Sequence, residues 1–299
     1  MCLRMSPEIK CDDLILKFDL GEPSKYAKEK AKDELRETSE NIEQGLKALK
    51  ALLKDDPKLI LPLEDKEWLQ IFLRRCKYYP ESAYKLINRY FNFRQKYSEV
   101  KELLNPGKLK HVFDHNQVSI MPQRDQFGRR IITMIAGEKW NHKLVHRDDC
   151  FRAAVLCCEA LQLEPESQIN GIVLILDCKG TTIGQSLEMT PAFMKRLVDY
   201  VQYAIPLRIK GFHFINTPSL CKPLFKVAKQ FLTPNSHSRL IVHDSNLKSL
   251  QRYIAPECLP ISYGGTLNCE IAYGRQTYEL LMHFEEFFEK CQKYGYVQG

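Results

Sequence analysis

The 299-residue chain has no apolar stretch approaching the ~18 uninterrupted residues of a membrane span. Its N-terminus, MCLRMSPEIKCDDL, lacks the apolar core of a secretory signal. Both absences predict a soluble protein of a cytosol-like compartment. None of the eleven cysteines falls in a C-x-x-C spacing. Odd in number and mostly set within apolar runs, they are read as reduced thiols acting as small hydrophobes. A G-x-x-x-x-G-K-[ST] loop, a G-x-G-x-x-G turn after a strand and a G-x-S-x-G elbow are all missing. Most nucleotide-dependent and serine-hydrolase chemistry is thereby excluded. Gly180-Thr-Thr-Ile-Gly184 follows a strand-like run but has no lysine, and reads as a structural turn. The i, i+4 pairs His111/His115 and His142/His146 lack the glutamate of H-E-x-x-H, so no metal site is expected. His243-Asp244-Ser245 contains triad residue types, but sequence neighbours cannot adopt triad geometry with one another. Asp244 or Ser245 is expected to cap the next helix instead. No catalytic residue and no cofactor are predicted.

The chain does have ample apolar content, 44% against 27% charged, enough for one large domain or two unequal ones. Residues 1–23 show no clear periodicity and are read as a partly disordered N-terminal segment. From Ser24 to Lys54 the positions Leu35, Ile42, Leu46, Leu49 and Leu53 mark one helical face, and Asp56-Pro57 stops that helix. Asp65 then reads as an N-cap for a helix burying Trp68, Ile71 and Phe72. Pro80 opens a further helix with a stripe of Ala83, Leu86, Ile87, Tyr90 and Phe91, and Asn105-Pro106-Gly107 ends the region. Residues 24–107 are therefore an expected helical module. Beyond it, strand-like VSIMP (118–122), RIITMIA (130–136), GIVLILD (171–177), RIKGFHFIN (208–216) and RLIV (239–242) alternate with helical stretches. That alternation predicts an α/β domain over 108–275 with a mainly parallel sheet. A helix within 276–299, with Leu281, Phe284, Phe288 and Cys291 on one face, closes the chain.

The net charge of +7 is concentrated. Residues 1–60 are slightly acidic, whereas residues 205–252 carry Arg208, Lys210, Lys222, Lys226, Lys229, Arg239, Lys248 and Arg252 against Asp244 alone. Such a patch attracts phosphate, on nucleic acid or on lipid headgroups; the alternative is a solvated helix face. Two helices are unusually apolar. One follows Pro191 with Phe193, Met194, Leu197, Tyr200, Val201, Ala204 and Ile205. The other follows Pro218 with Leu220, Leu224, Phe225, Val227, Ala228, Phe231 and Leu232. They read either as core helices over a sheet or as an amphipathic basic element lying against a membrane or closing a cavity.

The runs FLRRCKYYPESAYKLINRYFNFRQKY, DQFGRRI, GIVLILDCKG, IPLRIKGFHFINTPSLCKPLFKVAKQFL and LPISYGG keep the order and spacing of one family. Over roughly residues 48–275 the chain resembles the CRAL-TRIO lipid-binding proteins. The resemblance implies an α/β fold whose mainly parallel sheet floors a helix-covered lipid pocket, preceded by an all-helical module. It implies a non-enzymatic carrier of one hydrophobic ligand, with Phe151, Cys158, Ile172, Leu197, Val201, Ile205, Leu207, Ile209 and Phe212 lining the pocket. Glu159 and Tyr200 would orient a polar ligand atom. The segment of Leu220, Leu224, Phe225, Val227, Ala228, Phe231 and Leu232 would be the gate. Arg208, Lys210 and Arg239, with Lys222 and Lys226, would bind phosphatidylinositol bisphosphate. Asn235 and Cys76 stand where tocopherol carriers of the family have basic residues, and Arg75 or Lys77 would compensate. The implied protein is a cytoplasmic monomer, associating reversibly with endosomal or plasma membranes and not with nucleic acid. The rival reading is a phosphoinositide-sensing adaptor without lipid transfer.

Overall fold

In the computed structural model, which describes residues 5–56, 58–97 and 104–296, the chain begins with a tight hairpin of β1 (Ile9–Cys11) and β2 (Leu14–Leu16). For residues 5–23 the expectation of partial disorder is corrected, and residues 1–4 lie outside the described residues. Ile9, Cys11, Leu16 and Phe18 are buried, and Phe18 packs on Phe284 with ring centroids 5.2 Å apart. Strands of three residues are too short to register as alternation. The single helix expected over 24–54 is two, α1 (Lys25–Leu35) and α2 (Ser39–Lys54), split where Arg36 takes a left-handed conformation at φ 61°. Ser24 and Thr38 side chains cap them by accepting the amides of Ala27 and Asn41. Leu35 consequently packs with Ala27, Ala31 and Ile169, away from Leu46, Leu49 and Leu53.

A two-residue strand, β3 (Leu59–Ile60), precedes α3 (Lys66–Arg75) and α4 (Pro80–Lys96). Asp65 accepts the Trp68 amide at 3.0 Å, and the expected stripe of α4 is buried against α2 and α3. Pro57 lies outside the described residues, as do 98–103. Asn105 begins a short 3-10 turn (Pro106–Leu109), and α5 (Lys110–Asp114) follows.

The sheet has the order β4 (Val118–Ile120), β5 (Arg130–Ile135), β6 (Ile172–Asp177), β7 (Ile209–Ile215), β8 (Leu240–Val242); only the first pair is antiparallel. Between β5 and β6 run α6 (Arg147–Leu161), buried at almost every position from Phe151 onward, and α7 (Pro165–Asn170). Between β6 and β7 lie α8 (Ile183–Glu188) and α9 (Pro191–Asp199), the latter prolonged by a π turn over Tyr200–Ala204. Helices α10 (Lys222–Phe231) and α11 (Pro234–His237) lead to β8. Neither Asp244 nor Ser245 caps α12 (Leu247–Leu250), whose N-cap position is Asn246; His243 instead bonds His213 and Ser249. The final helix is broken at Phe284 into α13 (Gly274–His283) and α14 (Glu285–Gln292), and β9 (Gly295–Tyr296) returns to pair with β3. Among the described residues, all ten cysteines are free and no helix is long and apolar enough to cross a membrane.

The turn between α6 and α7 places the Glu164 carboxylate in the interior. It accepts from Arg130 at 2.7 Å, Ser167 at 2.6 Å and the Asp19 amide at 2.9 Å, and pairs with Arg124 at 2.9 Å. Burial alone would raise its carboxyl, but the charges of Arg130 and Arg124 overcome burial and hold it at about 2. A buried pair broken on one side costs about 3–5 kcal/mol. Glu164→Gln is therefore expected to lower unfolding free energy by about that amount in urea titration at neutral pH. Because the folded carboxyl titrates below its unfolded value, this contribution is present above the ordinary carboxylate range and is lost as pH falls toward 2. The gap between wild type and variant should accordingly close on acidification; a gap independent of pH would refute the assignment.

Candidate functional site

The interior is not solid on both faces of the sheet. A cavity of about 370 Å3 separates one face from the helices above it. Leu174 and Leu176 of β6 with Ile209, Phe212 and Phe214 of β7 form its floor, and Met134 of β5 and Leu240 of β8 extend it. Phe151, Ala154 and Cys158 of α6 form one wall, and Phe193, Met194 and Leu197 of α9 another. The π turn then presents Tyr200, Val201, Gln202 and Tyr203 in succession. Its signature is the Ile205 amide bonding the Tyr200 carbonyl at 2.9 Å, five residues back. The rim reaches the exposed Tyr203 and Arg239.

Of the residues the sequence nominated, Phe151, Cys158, Leu197, Tyr200, Val201, Ile209 and Phe212 line this space. Four do not. Ile172 sits at the start of β6, where the main core closes over it, and Ile205 and Leu207 are buried in that same core on the approach to β7. Glu159 faces away from the cavity, toward α4, where Tyr90 donates to it at 2.8 Å and Gln162 at 2.8 Å. Burial raises its carboxyl above the usual range, against the opposing charge of Arg94 and these donors. The role proposed for it, orienting a ligand atom, is corrected: its partners are protein. Tyr200 stands between the two environments. Its ring borders the cavity, and its buried hydroxyl lies beside Cys158 and Glu159; burial, then their charge, raises the phenol well above its ordinary range.

Helix α10 covers the cavity. Leu224, Phe225 and Ala228 share one face and point inward, joined by Leu232 past its end, and Phe225 packs edge-on to Phe214 at 4.8 Å. Leu220, in the preceding 3-10 turn, and Val227 and Phe231, on the flank of α10, are half-buried but line no part of it. None of the ten residues of α10 is buried, although the helix is strongly two-faced. Gln202, which sequence reasoning passed over, holds its end: the side-chain amide donates to the Phe231 carbonyl at 3.0 Å and accepts the Thr233 amide at 2.7 Å. A polar residue inside an apolar stripe was the available signal.

The cations expected in one cleft occupy four places. Arg208 and Lys210 meet α1, where the Arg208 guanidinium donates to Glu34 and to the Ile169 carbonyl, and the Lys210 ammonium stands 3.7 Å from Glu34. The cause is a bulge: Ile172 pairs with Ile209 but Val173 with Gly211, so Lys210 is an extra residue. That is how Ile209 and Phe212, three apart, both face the cavity while Arg208 and Lys210 reach Glu34. The bulge is held by Gly171, at φ 85°, whose added Cβ would meet the Arg208 carbonyl at 2.2 Å. Burial, then Arg208, pushes Lys210 down to about 8, with Glu34 opposing. Arg75 and Arg239 lie at the cavity rim. Arg75 donates to the Leu207 carbonyl at 3.1 Å, and burial with the charges of Arg239 and Arg208 lowers its guanidinium. Lys222 and Lys226 are on the outer face of α10, and Lys77 is exposed beyond α3. Among the described residues no group of three or more histidine, cysteine or acidic side chains could hold a metal ion.

Residues 114–265 match the family model of the CRAL/TRIO domain. Clavesin-1 of Rattus norvegicus is 31% identical over 242 residues, 80% of this chain and 68% of its own length. Clavesin-2 of Homo sapiens is 30% identical over 242 residues, 80% of this chain and 73% of its own. The crystal structure of Sfh5 superposes with a TM-score of 0.54 at 14% identity, covering 85% of this chain and 99% of that one, a likeness of fold alone. With a sheet floored cavity, a two-faced lid and these matches together, the chain belongs to the CRAL/TRIO family of lipid-binding proteins.

Proposed function

We propose that the protein is a non-enzymatic lipid carrier that holds one hydrophobic molecule in the cavity beneath α10 and docks on anionic cytosolic leaflets. The cavity carries this reading. The space of about 370 Å3 is lined mainly by apolar side chains, which gain free energy when an apolar molecule rather than water covers them. A fold that keeps such a space is built around an occupant, and its volume falls within the roughly 300–1,000 Å3 of ligand pockets. The lining is apolar but for a few polar groups, chiefly Gln117, Thr181, Gln185, Ser186 and the rim arginines. Helix α10 would be the gate. Arg208 and Lys210 would grip the phosphates of a phosphatidylinositol bisphosphate, with Arg239 and Arg75 nearby. On α8, which packs against the turn leading into α10, Ile183 and Leu187 are 72% and 73% exposed and supply an apolar contact for a lipid surface. Reversible peripheral docking on endosomal or plasma membranes follows.

Native mass spectrometry of the protein purified from its own tissue, followed by organic extraction, is expected to find one lipid per chain. Leu197→Trp, which overfills the cavity wall at a cost of about 1–3 kcal/mol, should cut occupancy roughly tenfold. Protein that carries no lipid and takes none up would instead favour an adaptor that only senses phosphoinositides.

Arg208→Ala combined with Lys210→Ala removes two charges worth about 1 kcal/mol each at a membrane surface, so binding to bisphosphate-containing vesicles should weaken roughly thirtyfold. The bound lipid should remain in place, and equal loss of lipid and of vesicle binding would refute separate sites.

A further inference from the structure

The docking reading leaves a question at its centre: the two cations assigned to the headgroup already have a partner. Glu34, near the end of α1, accepts from Arg208 and lies 3.7 Å from Lys210. Lys30, one turn earlier on α1, and Arg129 also act on Lys210. The second carboxylate of this neighbourhood, Asp125, is committed elsewhere. It pairs with Arg129 and accepts the amides of Phe127 at 3.0 Å and Arg129 at 2.8 Å. Glu34 is therefore the carboxylate left to face Lys30, Arg208 and Lys210 together.

Resting on that reading, we infer that Glu34 is a built-in occupant of the anion site, a carboxylate that a phosphate monoester displaces when it binds. Three features support exchange rather than a fixed structural bridge. The Glu34 side chain is 44% exposed at the edge of the buried stripe of Ala27, Ala31 and Leu35 that anchors α1, so a rotamer change frees Arg208 without moving the helix. Three cations, Arg208, Lys210 and Lys30, face the single Glu34 carboxylate, so the site carries excess positive charge even with Glu34 in place; burial first, then Arg208, depresses Lys210 to about 8. A phosphate dianion brings three acceptor oxygens and about twice the charge of a carboxylate, matching a guanidinium and two ammonium groups better than Glu34 does. Burial opposes charge on Glu34 itself, yet the Arg208 hydrogen bond and the charges of Arg208, Lys210 and Lys30 hold its carboxyl below the usual range. The internal ligand is thus ionised and competitive at neutral pH. Membrane recruitment is set by the difference between two anions, not by the cations alone.

The test compares Glu34→Gln with Glu29→Gln, which removes the same charge from an exposed position of α1 that touches none of these cations. Full-length wild type and both variants, matched for thermal melting, are titrated with phosphatidylcholine vesicles containing phosphatidylinositol bisphosphate and, separately, with soluble inositol trisphosphate. Glu34→Gln should bind both probes roughly tenfold more tightly than wild type, a change of about 1.4 kcal/mol. Glu29→Gln should stay within about twofold, as expected of a screened surface charge. The wild-type preference between vesicle and soluble probe identifies a lipid headgroup or a free phosphate as the source of the anion. Equal tightening by the two variants, or a gain on vesicles without one on the soluble headgroup, overturns the competition. If neither wild type nor Glu34→Gln binds either probe, the docking reading falls with it. If wild type binds and Glu34→Gln binds no tighter, only the internal competitor falls.

Discussion

One carboxylate, Glu164, ties together segments that apolar packing alone would leave loosely connected. It draws β5 through Arg130, the turn before β5 through Arg124 and the N-terminal segment through the Asp19 amide onto the α6–α7 junction. This matters because the sheet is packed on one face only over part of its area; the other face floors a cavity. A charge pair without solvent is poor evidence of net stabilisation, since burying both ions is costly. It is, however, demanding about geometry, and geometry is what a sheet with an unfilled face must obtain from its edges and junctions.

The second organising device is the bulge at Lys210. A regular strand would have alternated sides through Arg208, Ile209, Lys210, Gly211 and Phe212, and could not have put Ile209 and Phe212 on the same face. The extra residue lets one short strand serve two chemistries, an apolar floor on one side and a pair of cations on the other. On the proposed reading, apolar and anionic ligands would be bound within a few residues of each other without sharing a solvent environment.

Much of this was legible in the sequence where local chemistry decides. GIVLILD reads as a buried strand, Asp65 is a cap, and Pro80 and Pro191 open helices, because each signal acts within a few residues. The break at Arg36 was hidden, since an arginine rather than a glycine takes the left-handed conformation there. The cavity wall was partly legible and partly not: apolar identity cannot distinguish Ile205 or Leu207, which pack inward, from Val201, which faces the cavity. A π turn and a bulge, not hydropathy, decide the difference. Glu34 gave no signal at all, its partner Arg208 lying 174 residues further along the chain.

Helix α10 is supported like a beam at its ends. Buried Cys221 anchors one end and the Gln202 amide the other, while no residue of the span itself is buried. Segments with few buried apolar groups open at free energies well below global unfolding. On the proposed carrier reading, the residence time of a molecule beneath α10 is governed by that local opening. It can be short in a protein whose overall resistance to denaturation is high, so exchange kinetics and fold stability can vary independently.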